Sequence, residues 1–181
     1  MSTPRVALLR NQFDITWALF EYHLDRLTDA DYLWPPATAH WTIRPSNTGA
    51  DGGWEVDWAD TEPDPVPVPT VAWLCWHIDW WWGTTIDAVD GRTPCARADV
   101  RPEPDPAAMT GRLREHRTAW LRTLDALDDA RLDAASTVPW SEGTAYTVAD
   151  TAAWVNVELM KNVAEIGQLR LIRHAGPTTR H

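Results

Sequence analysis

Three polar residues near the C-terminal end of the chain are spaced so that they could hold a ligand or an ion. Glu158, Asn162 and Glu165 lie at positions i, i+4 and i+7 within an otherwise apolar helical stripe. Glu158 and Asn162 are one helical turn apart, so their side chains can reach the same point in space. Because burying an unpartnered carboxylate is costly, we expect Glu158 to be paired, protonated or bound to a metal.

His77 is the expected third member of this group. It lies in residues 71–82, where His77 and Asp79 are the two strongly polar residues. At about 100° per residue, Trp73, Leu74, Trp81 and Thr84 lie on one face of a helix, and His77 lies in the middle of that face. A helix that is apolar around most of its circumference must be buried on several sides. We therefore predict a central helix that points its imidazole at the other helices.

Two interpretations of this group remain open. In one, His77, Glu158 and Asn162 form a ligand or metal site. In the other, they form a buried polar network that fixes the register of the helices, with His77 hydrogen-bonded to Glu158 or to a backbone carbonyl. Glu165 lies ~10 Å along the helix axis from Glu158, too far for the two to share one ion.

Four long helices must position these residues. The first two are predicted over about residues 4–27 and 70–89. The third begins at Asp105-Pro106 and has an apolar stripe that extends to Leu127, and the fourth runs from Thr147 to about residue 174. Thr3 and Asp105 suit helix caps that precede a proline, and Thr147 with Asp150 resembles a capping box. His23 and His116 lie at or in the apolar stripes of the first and third helices. Either could join the site only if it turned inward at the same level.

Residues 35–69 cannot be helical throughout, because they contain half of the 14 prolines together with Gly49, Gly52 and Gly53. Residues 54–58 alternate with period two and could form a short strand. Trp41, Trp54 and Trp58 indicate a loop that packs onto the core, either as a lid over a pocket or only as a cover. We predict one all-α domain over residues 1–181, a four-helix bundle with a long Pro/Trp-rich loop between its first two helices.

Composition excludes several classes of partner. The formal charge of −10 and the lack of a basic stripe argue against nucleic acid. No run reaches the ~18 apolar residues that cross a bilayer, and the N-terminal residues do not resemble an export signal. Cys75 and Cys95 form neither a C-x-x-C pair nor a metal-finger spacing. We expect a cytoplasmic protein with reduced thiols, in which Cys75 is a buried thiol rather than a nucleophile.

The order of these motifs resembles a known family. The motifs are residues 20–24 (FEYHL), residues 72–77 (AWLCWH) and residues 154–167 (WVNVELMKNVAEIG). Together they are similar to the DinB-like four-helix superfamily, which includes mycothiol-dependent maleylpyruvate isomerase and bacillithiol transferases. The resemblance implies a divalent metal, zinc or nickel, held by His77, Glu158 and the residue at position 162. This chain has Asn162 where the family has histidine, and an amide oxygen is a weaker ligand for these metals.

The resemblance implies a metal-dependent transferase or isomerase that joins a low-molecular-weight thiol to a small electrophile, in a pocket under the Trp-rich loop. The ion would lower the pKa of the thiol and present a thiolate. The alternative is a metal-free binding or scaffold protein with a degenerate metal site. In both cases a small-molecule ligand is expected, and family analogy suggests a homodimer.

Overall fold

A computed structural model describes residues 3–46, 53–140 and 143–176. Gly49, Gly52 and the residues before Thr3 lie outside these ranges. The described chain is mostly helical, which confirms the all-α prediction. Its helices are α1 (Pro4–Leu24), α2 (Asp29–Tyr32), α3 (Val71–Val89), α4 (Pro106–Asp125), α5 (Asp129–Leu132) and α6 (Val148–Ala175), with a 3-10 turn at Arg97–Asp99.

The long helices begin where their capping residues predict. Thr3 Oγ1 accepts a hydrogen bond from the backbone N–H of Val6 at 3.3 Å. Asp105 Oδ1 accepts one from the N–H of Ala107 at 3.0 Å. At the start of α6, Thr147 and Asp150 form the reciprocal capping box, with each side chain accepting from the other residue's N–H. Helix α1 ends at Leu24, three residues before the predicted Leu27.

Most residues of helix α3 are buried, as its apolar sequence predicts. It packs against both α4 and α6, while α1 packs against α6 and α4. Trp76 and Trp82 of α3 are completely buried, and so is Trp120 of α4. Large apolar side chains from all four long helices therefore share one hydrophobic core. Among the described helices, none is both long and apolar enough to cross a bilayer.

The Pro/Trp-rich loop contains two short β ladders. Strand β1 (His40–Trp41) pairs in parallel with β4 (Val68–Pro69), and β2 (Ile43–Pro45) pairs antiparallel with β3 (Trp54–Val56). Strand β3 confirms the strand predicted at residues 54–58, although it is shorter. The rings of Trp41 and Trp58 stack on Trp73 of α3, with centroids 5.1 and 6.4 Å away. The loop therefore packs onto the first half of α3.

Candidate functional site

His77 of α3 and Glu158 of α6 face each other across the helix interface. The His77 Nε2 atom lies 3.9 Å from Glu158 Oε1, and both side chains are about four-fifths buried (19% and 20% exposed). This distance is too long for a hydrogen bond but short enough for a direct electrostatic interaction. The structure thus brings together the two residues that the helical patterns place on facing stripes.

Aromatic rings hold the imidazole of His77 in place. The Trp73 ring stacks on it with a centroid distance of 5.0 Å and an interplanar angle of 13°, and Trp80 approaches it edge-on at 5.8 Å. The Nδ1 atom of His77 is buried and has no hydrogen-bond partner within the described chain. Ring packing rather than a polar partner on Nδ1 therefore orients this side chain.

Lys161 is a neighbour of Glu158 that the sequence did not single out. Its Nζ atom lies 2.8 Å from Glu158 Oε1, at the i+3 position of the same helix. The pKa of Glu158 is lowered by the adjacent His77, raised by burial, and lowered further by Lys161, with a net decrease. Glu158 is therefore an ionised carboxylate at neutral pH, with one cation already beside it.

Asn162 is hydrogen-bonded to Trp81 and Glu165 rather than to His77 or Glu158. It is completely buried, and its Oδ1 atom accepts a hydrogen bond from Trp81 Nε1 at 3.1 Å. Its Nδ2 atom donates to Glu165 Oε2 at 3.0 Å. Both ends of the Asn162 amide are thus occupied by residues other than His77 and Glu158. Its role as a metal ligand stays a prediction, for which the Oδ1 atom has one further lone pair.

His116 belongs to a second polar cluster, on the α4 side of α3. Its Nε2 atom lies 2.7 Å from Asp79 Oδ1, and Arg112 donates to Asp79 Oδ2 at 2.8 Å. Asp79 is nearly completely buried, so this ion-paired network joins α3 to α4. Asp79 is the second strongly polar residue of the apolar stretch 71–82, but the sequence pattern does not indicate its partners.

His23 also lies apart from His77 and Glu158. It packs against Gly167, and its Nδ1 atom lies 3.2 Å from Arg170 Nη1. Burial lowers the pKa of His23, and the nearby Arg170 lowers it further. His23 is therefore a packing residue between α1 and α6.

The donors present do not form a complete metal site in this arrangement. Within residues 3–46, 53–140 and 143–176, no three His, Cys, Asp or Glu side chains converge to hold an ion. His77 and Glu158 supply two donors, but the Asn162 oxygen already accepts the indole proton of Trp81. A structural or catalytic zinc site needs at least three protein ligands.

A cavity of about 410 Å³ opens beside His77 and Glu158. Its walls are the indoles of Trp80, Trp81 and Trp154, and among its described lining residues only His77 and Glu158 are titratable. The remaining lining residues are Thr84, Thr85, Thr137, Val138 and Pro139. The connector at residues 137–139, rather than the Trp-rich loop, thus lines one side of the cavity. No residue of that loop is among the described lining residues, although its Trp58 packs edge-on against the wall residue Trp80 at 5.4 Å. A pocket directly under the Trp-rich loop stays a prediction.

Comparison with known proteins agrees with this architecture. A search of curated proteins found no match to the chain. A family model described as the DinB superfamily matches residues 12–166, which include α3, α4, most of α1 and the part of α6 that carries Glu158 and Asn162. Since the match spans well over half of the sequence, the chain belongs to the DinB superfamily.

Proposed function

We propose that the four long helices form a DinB-type four-helix bundle whose cavity binds a small, flat, largely apolar organic molecule without a metal ion. The observation that supports this proposal most directly is the lining of the cavity, which has three indole walls and one polar end formed by His77 and Glu158. A volume of about 410 Å³ falls in the range of small-molecule sites.

The lining defines the ligand chemistry. Indole side chains offer broad apolar faces, against which planar rings stack favourably. Glu158 is ionised, so it accepts a hydrogen bond from a donor group of the ligand. We therefore propose a planar ring that carries at least one N–H or O–H donor, directed at Glu158.

Indole and 1-methylindole form a matched pair of probes, because the methyl group removes the N–H donor and preserves the ring. Isothermal titration calorimetry should show saturable binding of indole. The affinity for 1-methylindole should be lower by a factor of about ten or more, as expected for a lost hydrogen bond to a charged group. Glu158→Gln should reduce this difference, whereas the control Glu115→Gln, on the exposed face of α4, should preserve it. Absence of saturable binding, or equal affinities for the two probes, would contradict the proposal.

The second candidate is the metal-dependent thiol transferase or isomerase that the family resemblance implies. The observation in its favour is the 3.9 Å separation of His77 Nε2 and Glu158 Oε1, since two ligands of one tetrahedral zinc ion lie about 3.4 Å apart. This candidate requires a third ligand, for which Asn162 Oδ1 has one lone pair left beside the bond from Trp81.

Metal content separates the two candidates. The protein would be purified without chelator and analysed by mass spectrometry for zinc and nickel, in native form and as Asn162→His. Under our proposal the native chain lacks stoichiometric metal, and metal appears with Asn162→His but not with Gln168→His, an exposed control on the same helix. Stoichiometric metal in the native chain would overturn the metal-free proposal and support the second candidate.

A further inference from the structure

Glu165 of α6 has a carboxylate that the rest of the described chain does not neutralise. Its Oε2 atom accepts a hydrogen bond from Asn162 Nδ2 at 3.0 Å, and the side chain is partly buried. No lysine, arginine or histidine of the described chain forms an ion pair with it. Because burying a carboxylate without a cation is unfavourable, a cation from outside the described chain would stabilise this group.

A groove of about 580 Å³ runs between α6 and strand β4, and Glu165 is among its lining residues. The lining residues from α6 follow one another at steps of three and four, so they form one face of the helix. They are Lys161, Ala164, Glu165, Gln168, Leu169 and Ile172, and Val68 and Pro69 of β4 complete the described lining. None of these residues lines the cavity beside His77 and Glu158, so the groove is a separate site.

Most of the groove lining is apolar. Val68 and Ile172 are 40% and 47% exposed, so the groove leaves apolar surface that a ligand could cover. At 1.5 Å per residue, Ile172 lies ~10 Å along the helix axis from Glu165. A ligand with a charged group at Glu165 can therefore place an elongated apolar body along this face of α6.

The charges around the groove favour a cation as the ligand. Lys161 is the one cationic residue in the described lining, but its Nζ atom is paired with Glu158 Oε1 at 2.8 Å. An anionic ligand would compete with Glu158 for this ammonium group and would be repelled by Glu165. The net charge of −10 adds a long-range attraction for cations.

We propose that the groove binds an amphiphilic organic ammonium ion, whose N–H groups donate to the Glu165 carboxylate and whose apolar chain lies against Pro69, Leu169 and Ile172. Hydrogen bonds between two charged partners are the strong ones, which suits a partly buried carboxylate. A hydrated metal ion or a polyamine would leave the apolar lining uncovered. This inference does not depend on the proposed ligand of the cavity beside His77.

Three probes with the same eight-carbon chain test the proposal by isothermal titration calorimetry on the full chain. Octylammonium should bind saturably, 1-octanol should bind about tenfold more weakly or less, and octanoate should not bind detectably. Glu165→Gln keeps an oxygen that can accept from Asn162, and it should lower the affinity for octylammonium about tenfold. Glu115→Gln, on the exposed face of α4, changes the net charge equally and should preserve the affinity.

Ile172→Ser tests the apolar half of the site. Because Ile172 is 47% exposed, the variant should keep the helical content of the wild type in circular dichroism, while both octylammonium and 1-octanol bind more weakly. This variant and the comparison of the probes still decide the question if Glu165→Gln fails to fold.

Three results would overturn the proposal. One is equal affinity of the wild type for octylammonium and 1-octanol, and another is preferential binding of octanoate. The third is octylammonium binding that persists in folded Glu165→Gln but is lost in Glu158→Gln, which would place the ammonium ion in the cavity with the indole walls.

Discussion

The indole N–H of Trp81 donates to the amide oxygen of Asn162 at 3.1 Å, and this bond joins α3 to α6 one turn from His77 and Glu158. Both residues are buried, so the bond is protected from water. It occupies the oxygen atom that the DinB resemblance would assign to a metal ion. The same residue pair therefore matters for stability and for the choice between a metal-free and a metal-dependent site.

We expect Trp81→Phe to destabilise the fold by about 1–3 kcal/mol beyond the effect of reduced ring size, because it leaves the buried Asn162 oxygen without a donor. Trp154→Phe is the control for ring size, since Trp154 packs edge-on against Trp81 at 5.1 Å. Urea unfolding monitored by circular dichroism measures both free energies. Equal losses in the two variants would show that the hydrogen bond contributes little.

Two helical glycines should respond oppositely to alanine. A Cβ atom at Gly167 would lie 2.6 Å from His23 Nε2, whereas one at Gly111 of α4 would meet no atom within 4 Å. Gly111→Ala should therefore stabilise the protein by up to about 1 kcal/mol through helix propensity. Gly167→Ala should destabilise it by about 1–3 kcal/mol through overpacking. Thermal unfolding gives both signs, and His23→Ala should rescue Gly167→Ala if the clash is the cause.

The two cysteines should differ in reactivity. Cys95 is exposed, whereas Cys75 is completely buried, and burial raises the pKa of its thiol to about 12, with Asp79 adding to the increase. Since the thiolate is the reactive form, Ellman's reagent should modify one thiol per native chain and two in urea. Cys95→Ser should abolish the native reaction. Rapid modification of two thiols in the native protein would contradict the burial of Cys75.

The carboxylate of Asp31 should make the free energy of unfolding depend on pH in the acidic range. Burial raises the pKa of Asp31, but hydrogen bonds from Thr28, Arg173 and His174 outweigh it and lower the pKa from 3.8 to about 2. A lowered pKa stabilises the folded state above the unfolded-state value, and this contribution is lost as pH falls from about 4 towards 2.

Asp31→Asn should therefore cost roughly 2 kcal/mol at neutral pH, and its difference from the wild type should shrink as the solution is acidified below about pH 4. Urea unfolding at several pH values measures this trend. Asp29→Asn is the control, because Asp29 is exposed in the same short helix. A difference that stays constant between neutral pH and pH 2 would rule out titration of Asp31 as its cause.

Much of the helical arrangement could be predicted because local chemistry determines it. Caps at Thr3, Asp105 and Thr147 depend on adjacent residues alone, and the structure confirms all three. Apolar periodicity also placed His77 and Glu158 on facing stripes, and their side chains do meet. The sequence could not show that the connector at residues 137–139 would line the cavity, because that depends on packing between distant segments.

The partners of the other polar residues depend on details that periodicity does not contain. Helical spacing places Asn162 on the same stripe as Glu158, but it does not specify which way the amide turns or that Trp81 reaches it. The pairing of His116 with Asp79 likewise depends on the axial register of α3 against α4. The cytoplasmic location and the metal ligands stay predictions.

The stacked tryptophans have an optical consequence. Trp41 and Trp58 approach Trp73 with ring centroids 5.1 and 6.4 Å apart, and Trp76 stacks on Trp80 at 6.0 Å. Indole chromophores this close couple their excited states, so they should produce strong paired bands in the near-ultraviolet circular dichroism spectrum. Because Trp41 and Trp58 lie in the loop and Trp73 in α3, detachment of the loop would weaken these bands while the far-ultraviolet helical signal persisted. The near-ultraviolet spectrum should therefore report whether the Trp-rich loop is packed on α3.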